Sequence, residues 1–171
     1  AGKIKVVGEF QKVKLEQFII DSDSFNEEAL TNIYNDVLEL PVRGTEDSMG
    51  HDFFLTKDIH LKPGESARIC TGIKVKIAAG WGLWLTPRSG LGSKFRLQIN
   101  NTVGIIDGDY FNNVDNEGHI MATITNDGKE GKDVVLKAGD RFIQGVFLEY
   151  GITNHDIPLG KRVGGEGSTK L

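Results

Sequence analysis

From residue 50 onward, apolar and polar positions alternate in short segments bounded by glycine. In ARICTGIKVKI, residues 67–77, the side chains of Ile69, Thr71, Ile73, Val75 and Ile77 share one face of an extended strand, because successive strand residues point to opposite sides. Comparable runs recur at WGLWLT, HIMATIT, VVLK and FIQGVFLEY, at the spacing of a β-sandwich or barrel. The pattern predicts an all-β fold with one exception. Ser24 and Glu27 have the spacing of a capping box ahead of Leu30, Ile33, Tyr34, Val37 and Leu38, which recur at helical intervals. One helix is therefore expected over about 24–38, inserted between an early strand at about 13–20 and the β body. LKPGE at 61–65 and LKAGD at 136–140 read as similar turns, each leading into an apolar strand.

Composition narrows the picture. A chain of 171 residues fits a single domain, 1–171, able to bury a core without disulfides. With 22 glycines and four prolines, tight turns between short elements are expected. Cys70 stands alone, which excludes a disulfide framework and a cysteine metal site and fits a small buried thiol in a reducing, cytoplasmic setting. No apolar run reaches the roughly 20 residues needed to span a bilayer, and AGKIKVVGEF lacks the apolar core of a secretory signal. Neither membrane nor export is expected. Net charge is 20 − 24 = −4, and residues 1–50 hold five bases against ten acids, so the excess acid is local. A nucleic-acid coat would need a basic face, so no nucleic-acid partner is expected, while single arginines stay free to grip a small anion. His51, His60, His119 and His155 lack ligand spacing and are assigned no metal role.

Four segments could carry chemistry. TPRSGLGSK, residues 86–94, places Arg88, Ser89 and Gly90 in what reads as a tight loop, offering a guanidinium, a hydroxyl and close backbone approach to phosphate. In AGDRFIQ, Arg141 can pair with a structural acid and Gln144 can sit at a rim. VGIIDGDYFN sets two acids and a tyrosine behind an apolar run, either as an ordinary turn or as a reactive centre. GKRVGGEGSTKL has glycine at 160, 164, 165 and 167 and no apolar pattern, so a mobile tail over about 158–171 is expected unless something orders it.

Taken in order, MGHDFF (49–54), PRSGL (87–91), NTVGIIDGDY (101–110), GDRFIQ (139–144) and RVGGEGST (162–169) resemble the five motifs of the trimeric dUTPases, over roughly residues 40–169. The resemblance implies a distorted jelly-roll (β-clip) subunit, a homotrimer with composite sites, and Mg²⁺-dependent hydrolysis of dUTP to dUMP and pyrophosphate. That reaction limits uracil incorporation into DNA and supplies dUMP for dTMP synthesis. Asp107 would orient and deprotonate the attacking water, as an ionised carboxylate can. Tyr110 would pack under the deoxyribose, where a 2′-hydroxyl does not fit, and Asn101 with the hairpin backbone at Gly104 and Ile106 would read the uracil edge. Arg88, Ser89, Gly90, Gln144, Arg162, Gly167, Ser168 and Thr169 would grip the triphosphate and stabilise charge on departing pyrophosphate. Magnesium would be held by the phosphates and waters, with Asp52 either touching its water shell or serving as a structural acid capping its own turn. Asp109 reads as a turn residue.

The chain departs from the common family pattern at Asn112, where glycine is usual, and at Lys170, where a further glycine often follows. It also has Glu166 where the family carries the phenylalanine that lids the uracil, which predicts a weakened enzyme unless Phe111 or Phe95 takes over. Two alternatives stand beside this one. A dCTP deaminase-like enzyme shares a PRS-type motif but needs a glutamate base near C4 of the pyrimidine, whereas GIIDGDY suits the pyrophosphatase. A non-catalytic nucleotide-binding or regulatory trimer is favoured by the altered tail and disfavoured by Asp107.

Overall fold

A computed structural model describes residues 3–166; the predicted tail residues Gly167, Ser168, Thr169 and Lys170 lie outside the described residues. The chain runs β1 (Gly8–Lys12), α1 (Leu15–Asp21), α2 (Glu27–Asn32), a π-helical turn (Ile33–Val37), β2 (Val42–Arg43), β3 (His51–Phe54), β4 (Ile59–Leu61), β5 (Ser66–Cys70) and β6 (Ile73–Ile77). It continues with β7 (Trp81–Pro87), α3 (Ser89–Phe95), β8 (Leu97–Ile99), β9 (Gly104–Ile106), a 3₁₀ turn (Gly108–Tyr110), β10 (Met121–Asn126), β11 (Val134–Leu136) and β12 (Arg141–Glu149). All pairings are antiparallel: a five-stranded sheet β2-β3-β12-β7-β9, a three-stranded sheet β5-β10-β8, and the pairs β11-β4 and β1-β6.

The core lies between these layers. Phe53, Leu83, Leu85 and Ile143 from the large sheet meet Ile69, Leu97, Ile99 and Ile124 from the smaller one, all buried. In β10 the alternation is regular, with Ala122, Ile124 and Asn126 inward. In β12 the register slips between Arg141 and Ile143, and this bulge lets the consecutive Phe142 and Ile143 both be fully buried. The two LK-x-G turns are alike in fact: Gly64 and Gly139 take φ of 86° and 92°, and they follow strands β4 and β11, which pair with each other.

Four sequence expectations need correction. The run 67–77 is two strands, because Gly72 at φ 74° turns the chain so that β5 ladders to β10 and β6 to β1; the inward face still holds, with Ile69, Thr71, Ile73 and Val75 buried. The early strand is β1, while residues 15–21 form α1, where Leu15, Phe18 and Ile19 at i, i+3 and i+4 favour a helix with Phe18 buried. There are thus two helices, not one, before the body. The box at Ser24 and Glu27 does not form, since Asn26 caps α2 by accepting from the Ala29 N–H at 3.0 Å and Ser24 Oγ only receives the Asn26 N–H. Finally, Ser89–Phe95 is a helical turn rather than a loop, ended by Arg96 in the left-handed region at φ 52°.

Candidate active site

The third motif is not a simple hairpin. Within residues 100–103 the chain reverses through Thr102 at φ 68°, leaving β8 on β10 in the small sheet and entering β9 on β7 in the large one. The two strands part instead of pairing, and the gap is a cavity of about 340 Å³. Seven predicted residues line it: Asn101, Gly104, Ile106, Asp107, Tyr110, Arg162 and Glu166. Gly104 packs closely on β7, where a Cβ would lie 3.1 Å from the Leu85 side chain and press it aside.

Asp107 ends β9 and opens the 3₁₀ turn, its carbonyl accepting from Tyr110 N–H at 3.1 Å. That turn buries Tyr110 while leaving the Asp107 carboxylate 59% exposed at the cavity mouth. Tyr110 Oη donates to the His119 carbonyl at 2.7 Å and accepts from Asn116 Nδ2 at 3.0 Å. Burial pushes the phenol's pKa above its ordinary value, with the neighbouring Glu166 carboxylate adding to the rise against the Asn116 bond. The ring is thus fixed in orientation and stays protonated at neutral pH.

The sequence reading missed Asp109. Arg162 bridges both acids of GDY's flank, with Nε on Asp109 Oδ1 at 2.7 Å and Nη2 on Asp107 Oδ2 at 2.8 Å, and its guanidinium lies 5.7 Å from the Tyr110 ring centre. The bond to Asp109 comes first among the causes that hold Arg162 charged. Two carboxylates at i and i+2 on a tight turn could have signalled a shared guanidinium. Next to it, Gly165 N–H donates to Asp115 Oδ2 at 2.8 Å, and Gly164 packs so close that a Cβ would collide with the same carboxylate. Those glycines dock the segment; Asp115 and Asn116 were not foreseen as its receivers.

Arg88, Ser89, Gly90 and Gln144 form a second group elsewhere on the subunit. Arg88 Nε and Arg141 Nη1 both reach Asp52, at 3.3 Å each, and Gln144 Nε2 donates to the Pro87 carbonyl at 3.3 Å. Gln144 stands between Asp52 and Thr86 in the ladder. Ser89 and Gly90 open the first turn of α3 and are exposed. Asp52 is 8% exposed and does not cap its own turn; it ties two arginines to β3. Gly50 leaves room for the Gln144 amide, which would have to swing aside for a Cβ there. Ile106 pairs with Leu83, five residues before Arg88, so Ile106 and Arg88 are about 17 Å apart along β7 at ~3.4 Å per residue, whereas Gln144, opposite Thr86, stands nearer.

Neither aromatic proposed as a substitute lid is free. Phe95 packs on the core, and Lys74 Nζ sits 5.1 Å above the Phe111 ring. Among the described residues no group of three His, Cys, Asp or Glu side chains could hold a metal ion, and no helix is long and apolar enough to cross a membrane. Cys70 is buried, its thiol donating to the Asp21 carbonyl at 3.1 Å.

Comparison with known proteins matches residues 36–167 to the family model described as dUTPase. The deoxyuridine 5′-triphosphate nucleotidohydrolase of Lactococcus lactis is 39% identical over 144 residues, covering 83% of this chain and 95% of that protein. The enzyme of the same name from Desulfitobacterium hafniense is 35% identical over 139 residues, covering 77% and 87%. The crystal structure of dUTPase from Streptococcus mutans superposes with a TM-score of 0.62 at 32% identity, over 85% of this chain and 98% of the other. A variant of the dUTPase from phage phi11 of S. aureus, described with a coordinated structural Mg(II) ion, shares the fold at a TM-score of 0.58 and 24% identity, over 75% of this chain and 94% of the other.

Proposed function

This chain belongs to the dUTPase family, and from that we propose that it is a dUTP diphosphatase, releasing dUMP and pyrophosphate, with Asp107 as the base that activates the attacking water. The observation that carries it is the Asp107 carboxylate at the mouth of a cavity floored by Tyr110 and edged by Asn101. A nucleotide seated there, base toward Asn101 and Gly104 and sugar on Tyr110, presents its α-phosphorus to Asp107. An ionised carboxylate accepts a proton from water held in that gap, and the water oxygen forms the new P–O bond as pyrophosphate leaves. Arg162 supplies positive charge beside the reacting phosphates. Its guanidinium is paired to Asp107 and Asp109, so engaging phosphate oxygens means exchanging at least one carboxylate.

The reaction needs a grip on the β- and γ-phosphates directly beside Asp107, yet Arg88 of the same subunit stands about 17 Å along β7 from the Ile106–Leu83 pair that precedes Asp107, with Ser89 and Gly90 following it into α3. A neighbouring copy's grip solves this, which supports a homotrimer with composite sites, closed by the tail residues Arg162 to Thr169. Magnesium fits as an ion carried by the triphosphate and its waters, supplying charge neutralisation. Asp52, already committed to Arg88 and Arg141, could contribute only through a water. The same function places the protein in a reducing cytoplasm, consistent with the single buried thiol of Cys70, where it limits uracil in DNA and feeds dTMP synthesis.

Incubation with dUTP, dCTP and Mg²⁺, with products resolved by chromatography, tests the assignment. Release of dUMP and pyrophosphate from dUTP is expected; deamination of dCTP, or no turnover of either, would overturn it. For the composite site, mixing the inactive Asp107→Asn and Arg88→Ala variants after partial denaturation should restore activity through mixed trimers.

A further inference from the structure

Residues 8–35, with β1, α1 and α2, precede the stretch matched by the family model, and α1 nonetheless touches the nucleotide cavity's support at three points. At its start, the Lys14 N–H donates to Glu117 Oε2 at 3.0 Å. At its end, the Asp21 carbonyl accepts from Arg68 Nη1 at 2.8 Å, and Arg68 lines the cavity. At the same last residue, Asp21 Oδ2 lies 2.7 Å from His119 Nδ1.

His119 is fully buried, and its proton is placed by its neighbours. Gly72 N–H, which can only donate, bonds Nε2 at 2.8 Å, so the ring proton is on Nδ1 and is given to Asp21. Imidazole and carboxylate thereby fix each other's orientation, and the His119 carbonyl receives the Tyr110 hydroxyl at 2.7 Å. The segment between Tyr110 and His119 has little slack: Asn112 N–H bonds the Glu117 carbonyl, and a Cβ on Gly118 would lie 2.7 Å from the Tyr110 carbonyl oxygen.

We propose that Asp21 and His119 are positioning residues for the nucleotide site, and that α1 is a brace that sets the depth of Tyr110 and hence the discrimination between deoxyribose and ribose. Neither residue touches substrate. The chain Asp21–His119–Tyr110 acts by holding the phenol at one height under the sugar, so a ribose 2′-hydroxyl meets a wall that does not retreat. A wall free to move by a fraction of an ångström would admit it. Resting on the dUTP diphosphatase reading above, this assigns the helix a part in that site's specificity.

The test compares kcat/KM for dUTP and UTP, and equilibrium binding of dUMP and UMP by calorimetry, in the parent and in Asp21→Ala, Asp21→Asn and Asp21→Glu. Asp21→Ala is expected to raise KM for dUTP and cut the dUTP-over-UTP ratio about 10-fold, with kcat changed less than about threefold. Asp21→Asn keeps an oxygen for the Nδ1 proton and should hold the ratio within about twofold of the parent. Asp21→Glu keeps the charge but pushes the ring one methylene further, and should lower the ratio at least about threefold even if the alanine variant fails to fold. A folded Ala or Glu variant with the parent's ratio would overturn the brace while leaving the enzyme assignment intact. A parent inactive on dUTP would overturn that assignment instead. The dUMP-over-UMP binding ratio then tests the brace alone: a fall in the Ala or Glu variant supports it, and an unchanged ratio overturns it.

Discussion

Replacing Asp107 by asparagine separates the proton acceptor from the anchor of the C-terminal segment. Two carboxylates share Arg162, Asp107 at 2.8 Å and Asp109 at 2.7 Å, and both are more than half exposed. Although Arg162 itself is 9% exposed, the open carboxylates let water screen the pairs, which are worth about 1 kcal/mol each. The amide oxygen of Asp107→Asn still accepts from Arg162, and Asp109 is untouched, so substrate affinity should change by no more than about fivefold. Loss of the general base is a different order of effect, about 10² to 10⁴ in rate, or roughly 3–6 kcal/mol of transition-state stabilisation. Steady-state pyrophosphate release over a range of dUTP with saturating Mg²⁺ should therefore show kcat down at least about 100-fold and KM nearly constant. A variant that kept more than about a tenth of the parent kcat, or lost efficiency through KM alone, would mean that Asp107 anchors Arg162 and another group takes the proton.

Glu166→Phe should raise kcat/KM about 10-fold, because an aromatic over the base recovers about 1–3 kcal/mol of stacking and removes a carboxylate from beside a triphosphate; equal or lower efficiency in the same assay would exclude Glu166 as the lid position. Gly118→Ala forces a side chain at φ 84° into the Tyr110 carbonyl and should destabilise the fold by at least about 1–3 kcal/mol, seen as a lower denaturant midpoint. For Asp21, burial raises the carboxyl's pKa, but the bonds from His119 and Gln17 outweigh it and leave it below its ordinary 3.8. A carboxyl depressed in the folded state stabilises it above pH 3.8 and loses that contribution as pH falls through the lower folded value. Urea midpoints should accordingly drop steeply below about pH 4 in the parent and less so in Asp21→Ala.

Strands with one wet face were legible because their period of two survives in the burial pattern, as in β10. What alternation could not register was a change of partner sheet. Val75 and Ile69 point inward on strands of different sheets, since the turn at Gly72 preserves the parity of the side chains while redirecting the hydrogen bonds. Helix α1 was misread because Val13, Leu15 and Ile19 share the parity of a strand while Leu15, Phe18 and Ile19 share a helical face, and burial of Phe18 with Val13 and Leu30 in a separate small cluster decides the matter. Among the residues singled out in motifs, Asp107, Tyr110, Asn101 and Arg162 line one cavity. Asp21, His119 and Asp115 escaped because their partners lie 98, 98 and 50 positions away, and no local pattern records such contacts.

The parting of β8 and β9 makes the cavity lined by Asp107 and Tyr110 a seam between two hydrogen-bonded layers that no backbone ladder crosses at that point. A nucleotide bound as proposed would work as a rivet, its base against a loop owned by one layer and its sugar and phosphates against residues owned by the other. Amide exchange in β10 and in β7 should slow together when nucleotide is present, although the two strands share no hydrogen bond. The fold has left its mechanical closure to the molecule it processes.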